Sequence, residues 1–186
     1  MKELSLNILD VAKNSTAAGA SQVAIALELS NEGILTLSIT DNGCGMSEET
    51  LAGVTNPFYT TRKTRKVGMG LPLLKMAAEQ TGGELQITSC TKEGESGTSL
   101  RATFDTKSID CMPLGDIVST VCILIAGSPD VNFVFTDNRP DGEVSLDTAQ
   151  IREVLGEGIS LAEPEIQQWI REYLEEQYLS FVPRHD

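Results

Sequence analysis

Asp10 and Asn14 lie four residues apart within a run whose Leu4, Ile8 and Val11 follow helical spacing. On a helix that separation projects both side chains from one face, with Asn7 on the same stripe. A carboxylate beside an amide suits metal-assisted phosphoryl chemistry. The amide oxygen can ligate Mg2+, which accepts a few protein oxygens and keeps its waters. The carboxylate can orient or deprotonate an attacking water. A second group is Asp41-Asn42-Gly43-Cys44-Gly45-Met46. Its glycines permit positive φ and close approach of a planar ligand. The aspartate before them can accept a hydrogen bond from an exocyclic amine such as adenine N6. The third is Gly68-Met69-Gly70-Leu71. Backbone N–H groups ahead of a helix, with that helix's positive end, make an anion site. Arg62, Lys63, Arg65 and Lys66 precede it and could supply cations to phosphates. This glycine pair lacks both the Gly-Lys-Ser/Thr of a Walker loop and the strand lead-in of a Rossmann turn.

The elements that hold these groups follow from periodicity. The helix from Leu4 ends near Gly19. Residues 22–29 and 34–40 alternate apolar and polar side chains around Asn31-Glu32-Gly33 and predict a β-hairpin that delivers the chain to Asp41. Ser47-Glu48-Glu49 reads as a helix N-cap with acidic residues in the first turn, and Asn56-Pro57 breaks that helix. Residues 58–69 lack periodicity and read as a loop. Residues 71–81 read as a helix with Pro72 in its first turn, where a missing N–H does no harm. Strands are predicted over 84–89 and 98–104. The character changes near Thr106. Beyond it, helices are predicted over 114–126, 148–155 and 163–178, and strands over 131–136 and 143–146. Trp169, Ile170, Tyr173, Leu174 and Tyr178 fall at helical spacings and are expected in the core.

The chain has 186 residues, 40% of them hydrophobic, and a net charge of −13, so a packed core is expected and general partnership with nucleic acid or anionic membranes is not. The acidic excess is concentrated between Asp137 and Glu176, while Arg62, Lys63, Arg65, Lys66 and Lys75 cluster around the second glycine pair. The four cysteines form no Cys-x-x-Cys pair and the one histidine is His185, which excludes an ordinary zinc site. A disulfide framework is not expected either, which fits a reducing, cytoplasmic location. No signal peptide or membrane span is expected, since the longest apolar stretch, 117–126, is too short to cross a bilayer.

Taken together, the three groups resemble the GHKL superfamily of gyrase, heat-shock chaperones, histidine kinases and MutL. Asn14–Ala20 resembles the end of its N box, and Asp41–Met46 its first glycine box. Residues 56–61 resemble the segment leading into the ATP lid of histidine kinases. Gly68–Leu71 resembles the second glycine box, and Gly97-Thr98 the closing Gly-Thr. The resemblance covers residues 4–104. It implies an α/β fold, a Bergerat-type sandwich whose mixed sheet is covered by helices on one face, over residues 1–106. A smaller acidic α+β region over 107–186 follows, where a partner or a second copy is expected to dock. It implies ATP and Mg2+ as ligands, with Asn14 on the metal. Asp41 binds adenine N6, with Thr98 helping through water, and Gly43, Gly45 and Met46 lie around the base. Arg62, Lys63, Gly68, Met69, Gly70 and Leu71 meet the phosphates, and residues 58–67 form a lid.

Asp10 stands where hydrolytic members carry a glutamate and is expected to be the catalytic group. One methylene fewer reaches less far towards the water. No histidine-bearing helix is expected ahead of the N box, so the implied activity is phosphoryl transfer to a partner in trans or slow ATP hydrolysis, histidine-kinase-like or anti-sigma-like. The alternative is a non-catalytic switch that presents a partner surface when ATP binds. A response regulator, a sigma-factor system or a redox-enzyme complex are the partner classes expected.

Overall fold

The computed structural model describes residues 3–56, 69–156 and 158–181. In chain order its elements are α1 (Leu4–Ala17), β1 (Gln22–Leu29), β2 (Ile34–Asp41), α2 (Glu48–Gly53), α3 (Gly70–Gln80), β3 (Leu85–Cys90), β4 (Gly97–Asp105), α4 (Ile117–Gly127), β5 (Asn132–Arg139), β6 (Gly142–Asp147), α5 (Thr148–Leu155) and α6 (Pro164–Leu179). The strands form one mixed sheet in the order β3-β4-β2-β1-β5-β6. All neighbours are antiparallel except β1 and β5, whose register runs Gln22↔Asn132 to Glu28↔Asn138.

Alternation along the strands sends Val23, Ile25 and Leu27, then Leu37 and Ile39, Leu100, Ala102 and Phe104, Phe133 and Phe135, and Val144 and Leu146 into one core. Helices supply the other half of that core: Leu4, Ile8, Val11 and Ala12 from α1, Leu74, Ala77 and Ala78 from α3, Ile117, Val121 and Ile125 from α4, and Ile170 and Leu174 from α6. The opposite sheet face carries polar side chains such as Ser38, Thr40, Ser99 and Arg101, with Thr40 and Ser99 hydroxyls 3.1 Å apart. Period-2 strands with one wet face and 3.6-period helices on the other are what a two-layer α/β domain requires.

The division expected at residue 106 is crossed by the sheet. β5 occupies the edge of β1 left free by the antiparallel β1–β2 pair. The connection between β4 and α4 is pinned to the start of α1, where Leu4 N–H donates to Pro113 O (2.9 Å) and Ser5 N–H to Leu114 O (2.8 Å). These bonds satisfy amides that the first turn of any helix leaves without an internal acceptor. α4 then packs on α1, and α6 on α4 and β6.

Polar clamps fasten the later elements. Asp116 caps α4, accepting from Ser119 N–H (2.8 Å) and Oγ (2.6 Å), and these bonds hold its carboxyl below the ordinary range. Asp137 is fully buried and takes two bonds from the Arg139 guanidinium (3.0 and 2.7 Å) and one from the Tyr178 hydroxyl (2.8 Å). Burial, then the Asp137 charge, pushes the Tyr178 phenol far above its usual range, so it stays a donor. The guanidinium also lies over the Tyr178 and Phe181 rings at 5.8 and 5.7 Å. Removing one member of a buried ion pair leaves the other without compensation. Asp137→Ala is therefore expected to lower stability by about 3 kcal/mol in denaturant unfolding, and Tyr178→Phe by about 1 kcal/mol.

One expectation about α6 is corrected. Ile170 and Leu174 are buried and Tyr178 is half-buried, but Trp169 and Tyr173 are 49% and 39% exposed. They sit on the flank of the buried stripe. Its centre is fixed by Gln177, whose amide bonds both Ser145 N–H (2.9 Å) and Ser145 O (3.1 Å) on edge strand β6.

Candidate functional site

A cavity of about 330 Å3 opens where the second half of α1, the start of α3, the turn after β2 and the ends of β3 and β4 converge. Asn14, Asp41, Gly45, Met46, Gly70, Leu71 and Thr98 all line it, although they come from four separate stretches of sequence. Val11, Ile39, Ile87 and Leu100 give it an apolar floor and Val54 a further wall. An apolar slot with a few convergent polar groups is the ordinary form of a small-molecule site.

Asp41 ends β2 and is held from three directions. Its Oδ2 accepts from Ser15 Oγ (2.5 Å), and its Oδ1 from Gly43 N–H (2.9 Å) and Thr98 N–H (3.2 Å). The carboxylate is thus oriented by the protein, and Oδ2, with one bond, keeps a lone pair for a further donor. Behind it, Ser89 Oγ takes a bond from Met46 N–H (2.8 Å) and contacts Gly97 O (2.9 Å) and Thr98 Oγ1 (2.9 Å). A carbonyl can only accept, so the single Ser89 proton goes to Gly97 O. Thr98 must then donate to Ser89, which leaves the Thr98 hydroxyl with acceptor lone pairs. Asn42 anchors the turn from the other side. Its Oδ1 accepts from Ser21 N–H and Gln22 N–H, both at 2.9 Å, and its Nδ2 donates to Ser21 Oγ.

The glycines of the turn have neighbours within the protein itself. A Cβ on Gly43 would sit 3.0 Å from Ala18 O, and Cys44 N–H donates to that same carbonyl (3.0 Å). Gly45 has φ of +70°, and a Cβ there would collide with the Cys90 carbonyl. The turn is threaded between the end of α1 and the end of β3, and side chains would force it out. Gly43 is buried and does not line the cavity, whereas Gly45 does.

α3 begins at Gly70, with Met69 as an N-cap whose side chain makes no cap bond. Pro72 has no N–H and Leu73 N–H bonds back to Met69 O (3.0 Å). Gly70 and Leu71, in the first turn of α3, line the cavity, at the end of the helix where amides lack internal acceptors and the dipole is positive. Asp10 is exposed and packs across Gly70, where an added Cβ would lie 3.2 Å from Asp10 Cβ and 3.9 Å from Asp10 Oδ2. One turn on, Asn14 lines the cavity. Asn7 does not share that face. It is buried, with its Nδ2 donating to Met112 Sδ (3.4 Å) and its Oδ1 lacking a partner among the described residues. It belongs to the seam between α1 and the β4–α4 connection. Met69 is exposed outside the cavity lining. Arg62, Lys63, Gly68 and the loop expected over 58–67 lie outside the described residues.

Ser15 and Ser89 are the site residues that motif reading passed over. Each had a signal: a serine at an inward position of an otherwise apolar helix stripe, and a serine continuing the inward series Leu85, Ile87 on β3. Among the described residues no cluster of three or more His, Cys, Asp or Glu could cage a metal. The donors present, an amide on α1 with a carboxylate one turn away, suit a cation held largely by phosphates and water, as Mg2+ is. Ser15→Ala is expected to weaken ligand binding about fivefold, the worth of one hydrogen bond that orients Asp41, as read by calorimetric titration.

Residues 1–108 match the family model described as histidine kinase-, DNA gyrase B-, and HSP90-like ATPase. A protein of Shewanella frigidimarina described as a sensor is 32% identical over 105 residues, 56% of this chain and 15% of that protein. Sensor histidine kinase ZraS of Escherichia coli K12 is 30% identical over 92 residues, 49% of this chain and 19% of ZraS. Sporulation kinase E of Bacillus subtilis is 33% identical over 89 residues, 48% of this chain and 12% of that kinase. The chain thus spans under a fifth of these relatives. In fold it is similar to the N-terminal domain of a DNA repair protein, with a TM-score of 0.58 and 14% identity over 85% of this chain and 58% of that one.

Proposed function

Because the chain belongs to the family of histidine kinase-, DNA gyrase B- and HSP90-like ATPases, with the ATP-binding domain in residues 1–108, we propose that it binds Mg-ATP in the α1–α3 cavity and directs the terminal phosphoryl group to a partner protein or to water. The observation that carries this reading is the polarity of the cavity. A carboxylate fixed by Ser15, Gly43 and Thr98 stands at the β2 end, Gly70 and Leu71 line the α3 end and Asn14 the α1 side, while Asp10 lies beside Gly70, outside the lining residues.

In this reading Asp41 accepts from the adenine amine, and the apolar floor of Ile39, Ile87 and Leu100 receives the ring. Thr98 offers its lone pairs to a bridging water. The α3 amides take phosphate oxygens, since an N–H pair at a helix start favours negative charge. Asn14 would hold Mg2+ through its amide oxygen, and the ion, when bound, would supply positive charge to the phosphates. Asp10, beside Gly70, accepts the proton of the attacking group, a serine hydroxyl of an anti-sigma-like partner or water, as the phosphoryl group moves to that oxygen and ADP leaves. Positioning and charge neutralisation are most of what phosphoryl transfer needs. Arg62, Lys63 and Gly68 are proposed phosphate contacts from the preceding segment.

Asp10→Asn separates catalysis from binding. ATP affinity is expected to stay within about twofold, while turnover falls at least ~100-fold, the usual worth of a general base. Asn14→Ala is expected to remove the Mg2+ dependence of binding. If wild-type chain shows no phosphate release or transfer with any candidate acceptor, while Asp10→Asn binds ATP normally, the non-catalytic switch is the reading that survives. The short carboxylate of Asp10 is what favours that second reading.

The kinase relatives support a protein acceptor in trans. A response regulator, a sigma-factor regulator or a redox-enzyme complex in the cytoplasm is the proposed setting. The four cysteines, all unpaired, fit a reducing compartment.

A further inference from the structure

We propose that the outer flank of α6 is a docking surface for a basic, amphipathic segment of a partner protein. The other flanks of this helix are already engaged. Ile170 and Leu174 enter the core, Gln177 bonds the β6 backbone at Ser145, Tyr178 reaches Asp137, and Arg171 turns to α4, donating to Ser119 Oγ (3.1 Å). Helical spacing puts Trp169 and Tyr173 on the remaining flank, together with Glu165, Glu172 and Glu176.

Two observations give this flank a ligand chemistry. The Trp169 and Tyr173 rings stack at 5.2 Å with 14° between their planes, although both are substantially exposed. A platform ordered before contact has less side-chain freedom to lose on binding, and Trp and Tyr are the side chains that most often anchor interfaces. The three glutamates are exposed, and among the described residues none of them forms an ion pair. Glu172 accepts from Gln168 (2.7 Å), and the one arginine of the helix pairs with Glu175 on the far flank at 3.7 Å. Aromatic faces attract Lys and Arg cations, and the carboxylates at their rim select the same charge and repel acidic partners. A partner helix or strand bearing Lys or Arg beside Leu-sized residues satisfies both halves of the surface. This surface lies outside residues 1–108 and does not depend on the ATP reading.

Trp169 is the sole tryptophan of the chain, so its fluorescence reports on this flank alone. Titration of the full chain with a synthetic amphipathic Arg/Lys/Leu peptide is expected to give a saturable change in Trp169 emission. Affinity should fall as salt is raised, because exposed charges are screened. By calorimetry, Tyr173→Ala should weaken binding about fivefold. The triple change Glu165→Gln, Glu172→Gln and Glu176→Gln should weaken it about tenfold. The same charge change at Glu28, Glu84 and Glu93 should leave it within about twofold, with all variants checked for unaltered thermal unfolding. The proposal is overturned by no saturable change in emission, by equal losses in the control triple, or by equal affinity for a peptide with the basic residues replaced by glutamine. It is also overturned if sedimentation shows a wild-type dimer that Tyr173→Ala dissociates, since a second copy would then occupy the flank.

Discussion

Asp41→Ala is expected to reduce ATP affinity by about two orders of magnitude while the sheet stays folded. Among the described residues the carboxylate is the one charged group lining the cavity, and it is oriented by Ser15, Gly43 and Thr98. A hydrogen bond to a charged acceptor contributes roughly 1.5–3 kcal/mol, and about 2.7 kcal/mol is a hundredfold in affinity. The truncation also leaves Ser15 Oγ, which is 5% exposed, without its acceptor. Asp41→Asn should cost less, about tenfold, because Oδ1 survives for Gly43 and Thr98 while the second oxygen becomes an amide that cannot accept. Calorimetric titration gives both numbers, and circular dichroism checks the fold. Equal affinity in the wild type and Asp41→Ala would remove Asp41 from the site.

Gly45→Ala should be as damaging by a different route. Gly45 has φ of +70°, where a Cβ costs about 1 kcal/mol for any L-residue. The larger effect is steric: the Cβ collides with the Cys90 carbonyl, so the turn must lift from the end of β3 and break the Met46 N–H bond to Ser89 Oγ. That bond fixes Ser89, and through it Thr98. ATP affinity is expected to fall at least ~50-fold and stability by about 2–3 kcal/mol, within the range for strain at a tight backbone contact. Gly82→Ala separates the two causes. Gly82 has nearly the same φ, +79°, but nothing lies within 4 Å of its added Cβ. It should lose only about 1 kcal/mol of stability and no affinity. Similar binding losses in both variants would show that collision with Cys90 is not the cause.

Much of this architecture is visible in local patterns. The apolar stripe of α1, the β1–β2 alternation and the Ser47 cap at the start of α2, which accepts from Thr50 N–H (3.3 Å), all follow from short-range rules. The structure brings Asn14, Asp41, Gly45, Met46, Gly70, Leu71 and Thr98 to one cavity, because each sits at the end of an element whose direction the sheet fixes.

What local patterns did not carry is pairing over distance. Nothing in the alternation of residues 131–136 says that they lie parallel to β1, since a period of two names a face and not a neighbour. The composition change near Thr106 lies where the family match ends, at residue 108, and one sheet runs across that position. Periodicity alone places Trp169 and Tyr173 inward, whereas they are exposed. The centre of the α6 stripe is set by the Gln177 bonds to β6, a tertiary contact absent from the helix's own sequence. Asn7 shows the same limit on α1. Its spacing matches Asp10 and Asn14, but the β4–α4 connection covers it through Met112.

Whether Asp41 reads the amine of an adenine in the α1–α3 cavity is decided by paired calorimetric titrations with Mg-ATP and Mg-GTP. Guanine presents a carbonyl oxygen where adenine presents an amine, which would set two acceptors against each other. One saturable ATP site per chain is expected, with GTP weaker by about a hundredfold. GTP binding as tightly as ATP, or no binding of either, would contradict that role of Asp41.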